Sequence, residues 1–158
     1  MRAIAIVAVV LHGAVALAQT LPARQTAPTD RAVIFKTAEL DSVTKDLVAK
    51  HLLTNRILDG GAYSVNVRHI SGSETALVHG KITEVWVVRD GSGRVATGGE
   101  LVNPKPGAAP GEFSGTAIRA GVERVIGAGD IVFIPPGVPH GMKDTQSITY
   151  MNIRFETK

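Results

Sequence analysis

Hydrophobic and polar residues alternate with a period of two through most of the chain after residue 62. The first such stretch places Tyr63, Val65 and Val67 on one face and Ser64 and Asn66 on the other, which is the pattern of a half-buried strand. Comparable stretches predict strands at 63–69, 75–79, 84–89, 94–97, 116–120, 122–126, 131–134 and 147–155. Many short strands separated by turns indicate an all-β sandwich or barrel.

Glycine and proline mark the breaks between these strands. The sequence Asp90-Gly91-Ser92-Gly93 predicts a turn between two strands, and residues 103–115 form a loop rich in proline and glycine. Pro135-Pro136-Gly137 is expected to end the strand at 131–134, because proline cannot donate to a strand ladder.

One segment before the strands has a helical period instead. Leu40, Val43 and Leu47 recur three or four residues apart, which predicts one helix over residues 37–50. Thr37 is expected to cap its first turn. The single apolar face predicts that this helix packs against the outside of the sheet.

The first 18 residues are expected to be a signal peptide. Arg2 precedes an apolar run, and Ala16-Leu17-Ala18 matches a small-residue cleavage site, so the mature chain would begin near Gln19. The alternative is an uncleaved membrane anchor, but the apolar stretch is short for a span of about 20 residues. The chain is therefore predicted to be exported, to a periplasm or outside the cell, and to meet the membrane only through this segment.

Length and composition favour one domain after a short leader. Residues 19–32 are rich in Thr, Ala and Pro and predict a flexible leader, and residues 33–158 are long enough for one domain. The chain has no cysteine, which excludes thiolate metal ligands and cysteine nucleophiles. After loss of the signal, 16 basic and 14 acidic residues remain without a basic run, so nucleic acid is not expected as a partner.

Two histidines and one glutamate are the strongest candidates for chemistry. His79 precedes Glu84 by five residues, and His140 follows Pro135-Pro136-Gly137 at the end of a predicted strand. Two neutral imidazoles and one carboxylate form a ligand set that suits Fe(II), Mn(II) or Zn(II) and leaves coordination positions open.

These residues lie in two segments that resemble the motifs of the cupin superfamily, and in particular its small single-domain bacterial members. The first motif runs from His79 through Glu84 to Gly91, and the second runs from Gly129 to His140. The resemblance implies a jelly-roll β-barrel with a divalent metal, Fe, Mn, Zn or Ni, held inside it by His79, Glu84 and His140. It also implies a homodimer.

The first motif departs from the family pattern at one ligand position. Cupins usually have His-x-His where this chain has Leu77 and His79, and they have asparagine where it has Asp144. Leu77 and His79 point to the same face of a strand, so leucine occupies the space of a fourth ligand. Three outcomes stay open: three side chains with waters, replacement of the ligand by His69, or a metal-free polar pocket.

Other residues are expected near the site because alternate residues of a strand face the same side of the sheet. Trp86 shares parity with Glu84 and could line the pocket floor or belong to the core. Lys81 and Tyr150 are the candidates for a catalytic acid or base, with a solvated surface position as the alternative for Lys81. The remaining candidates for the substrate pocket are Leu77, Asn66, Arg68 and Asn152.

Two classes of function follow. The first is a metal-dependent enzyme, a dioxygenase, lyase or isomerase acting on a small organic molecule. The second is a module that binds a sugar or carboxylate without turnover at a degenerate metal site. A role in subunit assembly is a third possibility. The substrate does not follow from the sequence.

Overall fold

The structure is a computed structural model, and it describes residues 24–157. Within this range it contains one helix, α1 (Thr37–Ala49), and twelve strands. The strands are β1 (Gln25–Thr26), β2 (Thr54–Asp59), β3 (Tyr63–Gly72), β4 (Ala76–Val78), β5 (Ile82–Thr97), β6 (Glu100–Val102), β7 (Lys105–Pro106), β8 (Phe113–Gly115), β9 (Ala117–Arg119), β10 (Val122–Gly127), β11 (Ile131–Ile134) and β12 (His140–Glu156).

The two longest strands, β5 and β12, form the centre of the sheet. They pair with each other antiparallel, and β12 pairs with β3 on its other side. β10 and β11 extend the sheet beyond β5, while β2 and the short parallel strand β1 extend it beyond β3. The start of β12 also pairs with β4, which continues to β8 and β7, and β6 and β9 form a separate two-stranded sheet. The sheets do not close completely, and the expected all-β jelly-roll architecture is confirmed.

The predicted turn at residues 90–93 is wrong, because β5 runs through it without interruption. Val88 pairs with Tyr150 and Asp90 pairs with Thr149, so Arg89 is an extra residue in a β-bulge. After the bulge, the odd- and even-numbered residues of β5 exchange the faces of the sheet on which they lie. Glycine and aspartate favour a local turn, but the continuous partner strand β12 overrides that preference.

The last strand begins at His140, seven residues before its predicted start. An irregularity between Lys143 and Ser147 absorbs two extra residues relative to β5, which hides the period-two pattern in the sequence. The sequence also missed β1, β2 and β6, and it missed β7 and β8 inside the predicted loop at 103–115.

Helix α1 packs on the outer face of the sheet, as predicted. Val43 and Leu47 are buried against Ile57 and Val67. The N-cap is Lys36 rather than Thr37, and the Lys36 N–H donates to the Glu39 carboxylate at 2.8 Å, which satisfies one free donor of the first turn.

The opposite face of the sheet forms the interior of the barrel. On β3, Val67 faces the helix, whereas Asn66 and Ile70 face inward. The apolar part of this interior consists of Ile70, Trp86, Val88, Val95, Ile126, Ile134, Met142, Ile148 and Tyr150. The polar residues of β3 therefore line the interior, and the functional residues lie beside this core.

The predicted signal peptide at residues 1–18 lies outside the described residues. The described part of the predicted leader is not entirely irregular, because Gln25 and Thr26 pair with Leu58 and Asp59 of β2. Among residues 24–157, no helix has the length and apolar character needed to cross a membrane.

Candidate metal centre

Three neighbouring strands bring His79, Glu84 and His140 together. His79 directly follows β4, Glu84 lies near the start of β5, and His140 is the first residue of β12. The backbone of His140 pairs with Leu77 of β4 and with Thr97 of β5. One potential ligand atom from each of the three residues lies within 4.8 Å of the others, and all three side chains are buried. We refer to these residues as the triad.

Glu84 is the anionic centre of the triad. Its Oε2 accepts hydrogen bonds from Trp86 Nε1 at 2.7 Å and from Asn152 Nδ2 at 3.1 Å. Arg154 Nε lies 2.9 Å from the other carboxylate oxygen, although its N–H is not aligned for a hydrogen bond. Burial alone would raise the pKa of Glu84, but its contacts with the two histidines, Trp86 and Arg154 outweigh burial and lower that pKa to about 2. Glu84 is therefore a carboxylate at neutral pH.

The hydrogen bonds of His140 leave one ring nitrogen free for a cation. Nδ1 lies 2.9 Å from the Val138 carbonyl oxygen and donates to it. Burial lowers the pKa of His140, so the neutral ring presents the lone pair of Nε2 to the interior. Nε2 has no hydrogen-bond partner among residues 24–157 and faces Glu84 Oε2 at 3.6 Å. Two acceptors that face each other in a buried site are favourable only with a cation or proton between them.

His79 is oriented by a carboxylate that the sequence did not single out. Its Nδ1 lies 2.5 Å from Glu112 Oε2, and its Nε2 lies 3.3 Å from Glu84 Oε1. Glu112 belongs to the 103–115 segment, and no periodicity or motif marks it. A Cβ at Gly80 would lie 2.8 Å from Gly111 Cα, so the absence of a side chain at Gly80 lets this segment approach His79 closely. Histidines that bind metals usually donate their second ring N–H to such a partner.

The donor set of the triad therefore fits a divalent metal. Both histidines have acceptors for Nδ1, and both direct Nε2 toward the carboxylate of Glu84. A cation among these atoms would balance the carboxylate charge and use the lone pair of His140.

Trp86 and Tyr150 belong to the core cluster, and the Trp86 ring lies edge-on to His140. Trp86 is both a core residue and a hydrogen-bond donor to Glu84. Tyr150 stacks on Trp86 with ring centroids 4.7 Å apart, and burial raises the pKa of its hydroxyl. The hydroxyl has no partner within residues 24–157. Tyr150 therefore makes no hydrogen bond to a triad residue.

The other predicted residues divide between the interior and the surface. Asn66 and Asn152 are buried and joined by a hydrogen bond from Asn66 Nδ2 to the Asn152 carbonyl oxygen. Arg68 faces the interior but is paired with Glu74 at 2.6 Å. Lys81, predicted as a possible catalytic group, is exposed and lies outside the buried cluster. It occupies the solvated position that was the alternative for it.

His69 does not replace the missing ligand. It lies on β3 with the parity of Val67, which faces the helix, and its Nδ1 contacts Thr149 Oγ1 at 3.0 Å. Leu77 is half-buried and lies directly across from His140 in the ladder. Over the described range, the group of potential ligands at this site therefore contains three residues.

A cleft of about 570 Å³ lies beside the triad, and its lining does not include His79, Glu84 or His140. Glu112 and Arg154 line it, and each contacts a triad residue. Leu77, Ile82, Tyr63 and Phe113 add apolar surface to its walls. A small molecule bound in the cleft would therefore lie next to two side chains that contact the triad.

Solved structures share this architecture at low sequence identity. A protein from Bacillus halodurans is similar over 82% of this chain and 85% of its own, with 13% identity and a TM-score of 0.54. The architecture and the two motifs in their expected strand positions now agree. The fold is that of the cupins. Weaker similarity extends to a cupin-2 domain protein from Shewanella frigidimarina, with 18% identity, a TM-score of 0.47 and coverage of 72% of this chain and 92% of that chain.

A third similar structure is hydroquinone 1,2-dioxygenase from Sphingomonas sp. TTNP3. It has 16% identity and a TM-score of 0.49, and the match covers 65% of each chain. No family model matches the sequence, and no curated protein sequence matches it. The comparisons therefore support the shared fold and leave the reaction to be argued from the site.

One departure from the cupin motif preserves the backbone geometry. Asp144 stands where cupins usually have asparagine, and its φ is 47°. Aspartate and asparagine are among the few residues that adopt this left-handed conformation readily. Asp144 also receives a hydrogen bond from Ser73 Oγ at 3.2 Å, and its N–H donates to Ser73 Oγ at 2.9 Å. The Leu77 departure, in contrast, changes the ligand set itself.

Glu112→Ala is expected to weaken the affinity for divalent metal by about 10- to 100-fold. The substitution removes the acceptor that orients His79 but leaves all three triad side chains in place. Glu112→Gln should lose less, because its amide oxygen can still accept from Nδ1. Chelator competition with Zn²⁺ or Co²⁺ measures both constants. The control is Glu100→Gln, at the exposed first residue of β6, and a Glu112→Ala variant with the same metal affinity as this control would contradict the role of Glu112.

Proposed function

We propose that this chain is an exported, metal-dependent cupin enzyme that acts on a small organic molecule by dioxygenase-, lyase- or isomerase-type chemistry. The observation that carries the proposal is the arrangement of the two Nε2 atoms of His79 and His140 around the buried carboxylate of Glu84. A purely structural site would satisfy these atoms with hydrogen bonds. Here the Nε2 of His140 has no such partner within the described chain.

The metal, which we propose to be Fe, Mn, Zn or Ni, would supply Lewis acidity, or dioxygen chemistry if it is iron. The residues of the chain hold and tune it. Trp86 and Asn152 fix the carboxylate of Glu84 by donating to one oxygen. Glu112 and the Val138 carbonyl fix the two imidazole rings. With three protein ligands instead of four, the site leaves room for a chelating substrate.

Binding without turnover is the second candidate function, and Leu77 favours it. Leucine on the strand beside His140 removes the fourth cupin ligand, so the remaining site could capture a sugar or carboxylate through a weakly held metal or none. Oxygen uptake and product formation with catechols, thiols and keto acids separate the two functions. Stoichiometric metal without any turnover would favour the binding module.

Export and a homodimer are further parts of the proposal. Export is supported by the sequence of residues 1–18. The homodimer is supported by the apolar side chains that β10 and β11 expose, among them Val125, Ile131 and Phe133. Cell fractionation and light scattering of the purified protein measure the two properties directly.

The triad is tested by elemental analysis of the purified chain and of three histidine variants. We expect about one equivalent of metal in the wild type, and less than about a tenth of that in His79→Ala and His140→Ala, because each loses a ligand. His69→Ala is the matched control, since His69 lies on the outer face of the sheet. A wild-type protein that stays metal-free after exposure to Fe(II), Mn(II), Ni(II) and Zn(II) would overturn the enzyme proposal.

A further inference from the structure

We propose that the cleft beside the triad binds the carboxylate group of a small apolar or aromatic acid through Arg56 and Arg154. This inference rests on the proposed function, because it names the substrate class for the same site. Carboxylate binding by the arginines does not itself require the metal, so the two proposals can fail separately.

The two arginines lie on one wall of the cleft. Arg56 is on β2, where it pairs with Asn66 of β3, and Arg154 is on β12, where it pairs with Ser64 of β3. Both side chains line the cleft. Since β2, β3 and β12 are consecutive strands of the sheet, the guanidinium groups approach each other across a single intervening strand.

Both guanidinium groups retain unused hydrogen-bonding capacity. The Nε atom of Arg154 is next to the Glu84 carboxylate. Its two terminal nitrogens make no hydrogen bond to residues 24–157. Arg56 makes only long hydrogen bonds, from Nε to Asn66 at 3.4 Å and from one terminal nitrogen to Asp59 at 3.3 Å. The side chains of Arg154 and Arg56 are 26% and 39% exposed, so the free donors are accessible from the cleft.

The cationic groups on this wall repel one another. The pKa of Arg56 is lowered by burial and then by the charges of Arg24 and Arg154. Nearby acidic groups are already engaged: Asp59 pairs with Arg24 as well as Arg56, and Glu112 pairs with His79. Glu156 also lines the cleft, two residues after Arg154 on β12, and it is exposed to solvent. A ligand carboxylate would relieve the repulsion and satisfy the free donors.

The shape and lining of the cleft define the rest of the ligand. A guanidinium group binds a carboxylate through two parallel hydrogen bonds, which fixes its orientation. Tyr63, Phe113 and Ile82 provide apolar surface in the same cleft. Because Arg154 also contacts Glu84, an acid anchored at the arginines would lie next to the triad. The ligand class is therefore a small monocarboxylic acid with an apolar or aromatic body.

The test compares benzoate with benzamide on the chelator-treated full-length protein by NMR titration. The two probes have the same ring. Benzoate is an anion with two oxygens that can accept both hydrogen bonds of a guanidinium group, whereas benzamide is neutral and has one such oxygen. We expect benzoate to bind at least about 10-fold more tightly than benzamide, since charge-assisted hydrogen bonds are roughly twice as strong as neutral ones. Equal binding of the two probes, or no binding of benzoate at millimolar concentration, would overturn the proposal.

Three variants assign the binding to the arginines. Arg56→Gln is expected to weaken benzoate binding about 10-fold and to leave benzamide binding unchanged. Arg154→Gln should do the same, and its far-UV circular dichroism checks that the fold persists beside Glu84. Arg124→Gln, on β10 away from this cleft, is the control and should match the wild type. Unchanged benzoate binding in Arg56→Gln would contradict the inference.

The result is independent of the metal test. Benzoate binding that requires Arg56 in a chain that never takes up metal would support the arginine site and overturn the enzyme proposal. If the protein instead binds stoichiometric metal and Arg56→Gln leaves benzoate binding unchanged, the arginine site would be overturned and the enzyme proposal would stand.

Discussion

Glu84→Gln is expected to remove bound metal almost completely and to weaken the metal affinity by more than about 100-fold. Losing a partner of a ligand costs roughly 10- to 100-fold, and Glu84 is itself the only anionic member of the triad. Glutamine keeps the shape of the side chain, and its oxygen can still accept from Trp86 and Asn152. Its NH₂ group would then face Arg154 Nε, which is 2.9 Å from the present carboxylate oxygen.

The Glu84→Gln substitution removes the charge of residue 84 and keeps its volume, so any loss of metal is due to the charge. Glu156→Gln is the matched control, because Glu156 is a carboxylate that lines the same cleft but is exposed. Elemental analysis and competition with a chelator are expected to give wild-type values for this control. Full metal occupancy in the Glu84→Gln variant would mean that the metal is held elsewhere, and it would remove the basis of the proposed enzyme.

Glu74→Gln is expected to destabilise the fold by about 3–5 kcal/mol, the loss typical when one partner of a buried ion pair is removed. Glu74 pairs with Arg68 at 2.6 Å, and its other oxygen accepts from the Met142 N–H at 3.1 Å. The side chains of Glu74 and Arg68 are only 6% and 14% exposed. Without the carboxylate, the guanidinium group would stay charged beside the ring of Tyr150 with its charge unpaired.

Urea or thermal unfolding of the metal-free protein measures this loss. Glu100→Gln is a stringent control, because Glu100 pairs with Arg119 at the same 2.6 Å but both side chains are more than 70% exposed. That pair should contribute less than about 1 kcal/mol. The double variant Arg68→Met with Glu74→Gln should recover part of the stability. Equal losses at Glu74 and Glu100 would show that burial does not govern the contribution of these pairs.

The predictions that succeeded depend on local pattern. Leu40, Val43 and Leu47 placed the helix correctly because an amphipathic helix has to bury one face. The ends of the motifs are marked by glycine and proline, so the spacing of His79, Glu84 and His140 was visible in the sequence. Their convergence in one buried group follows from the pairing of β4 and β5 with β12.

The predictions that failed depend on the partner of each strand. The Asp90–Gly93 segment has turn-forming residues, yet β12 pairs across it and holds it extended. The first residues of β12 follow Pro139 and lack alternation, but β4 and β5 supply ladder partners on both sides of His140. Secondary-structure propensity describes a residue apart from its neighbours. The free energy gained by pairing with adjacent strands exceeds the difference in propensity between a turn and a strand.

The sequence by itself determined the strand-rich architecture, the outer helix and the three ligand candidates, since each of these is marked by a local pattern in the chain. Only the tertiary structure decided what surrounds the triad. Glu112 meets His79 across 33 residues, and Asn152 meets Glu84 across 68. Such contacts leave no periodic trace, because they depend on which strands become neighbours after folding. For the same reason, the sequence could not show that Arg56 and Arg154 share a wall of the cleft beside the triad.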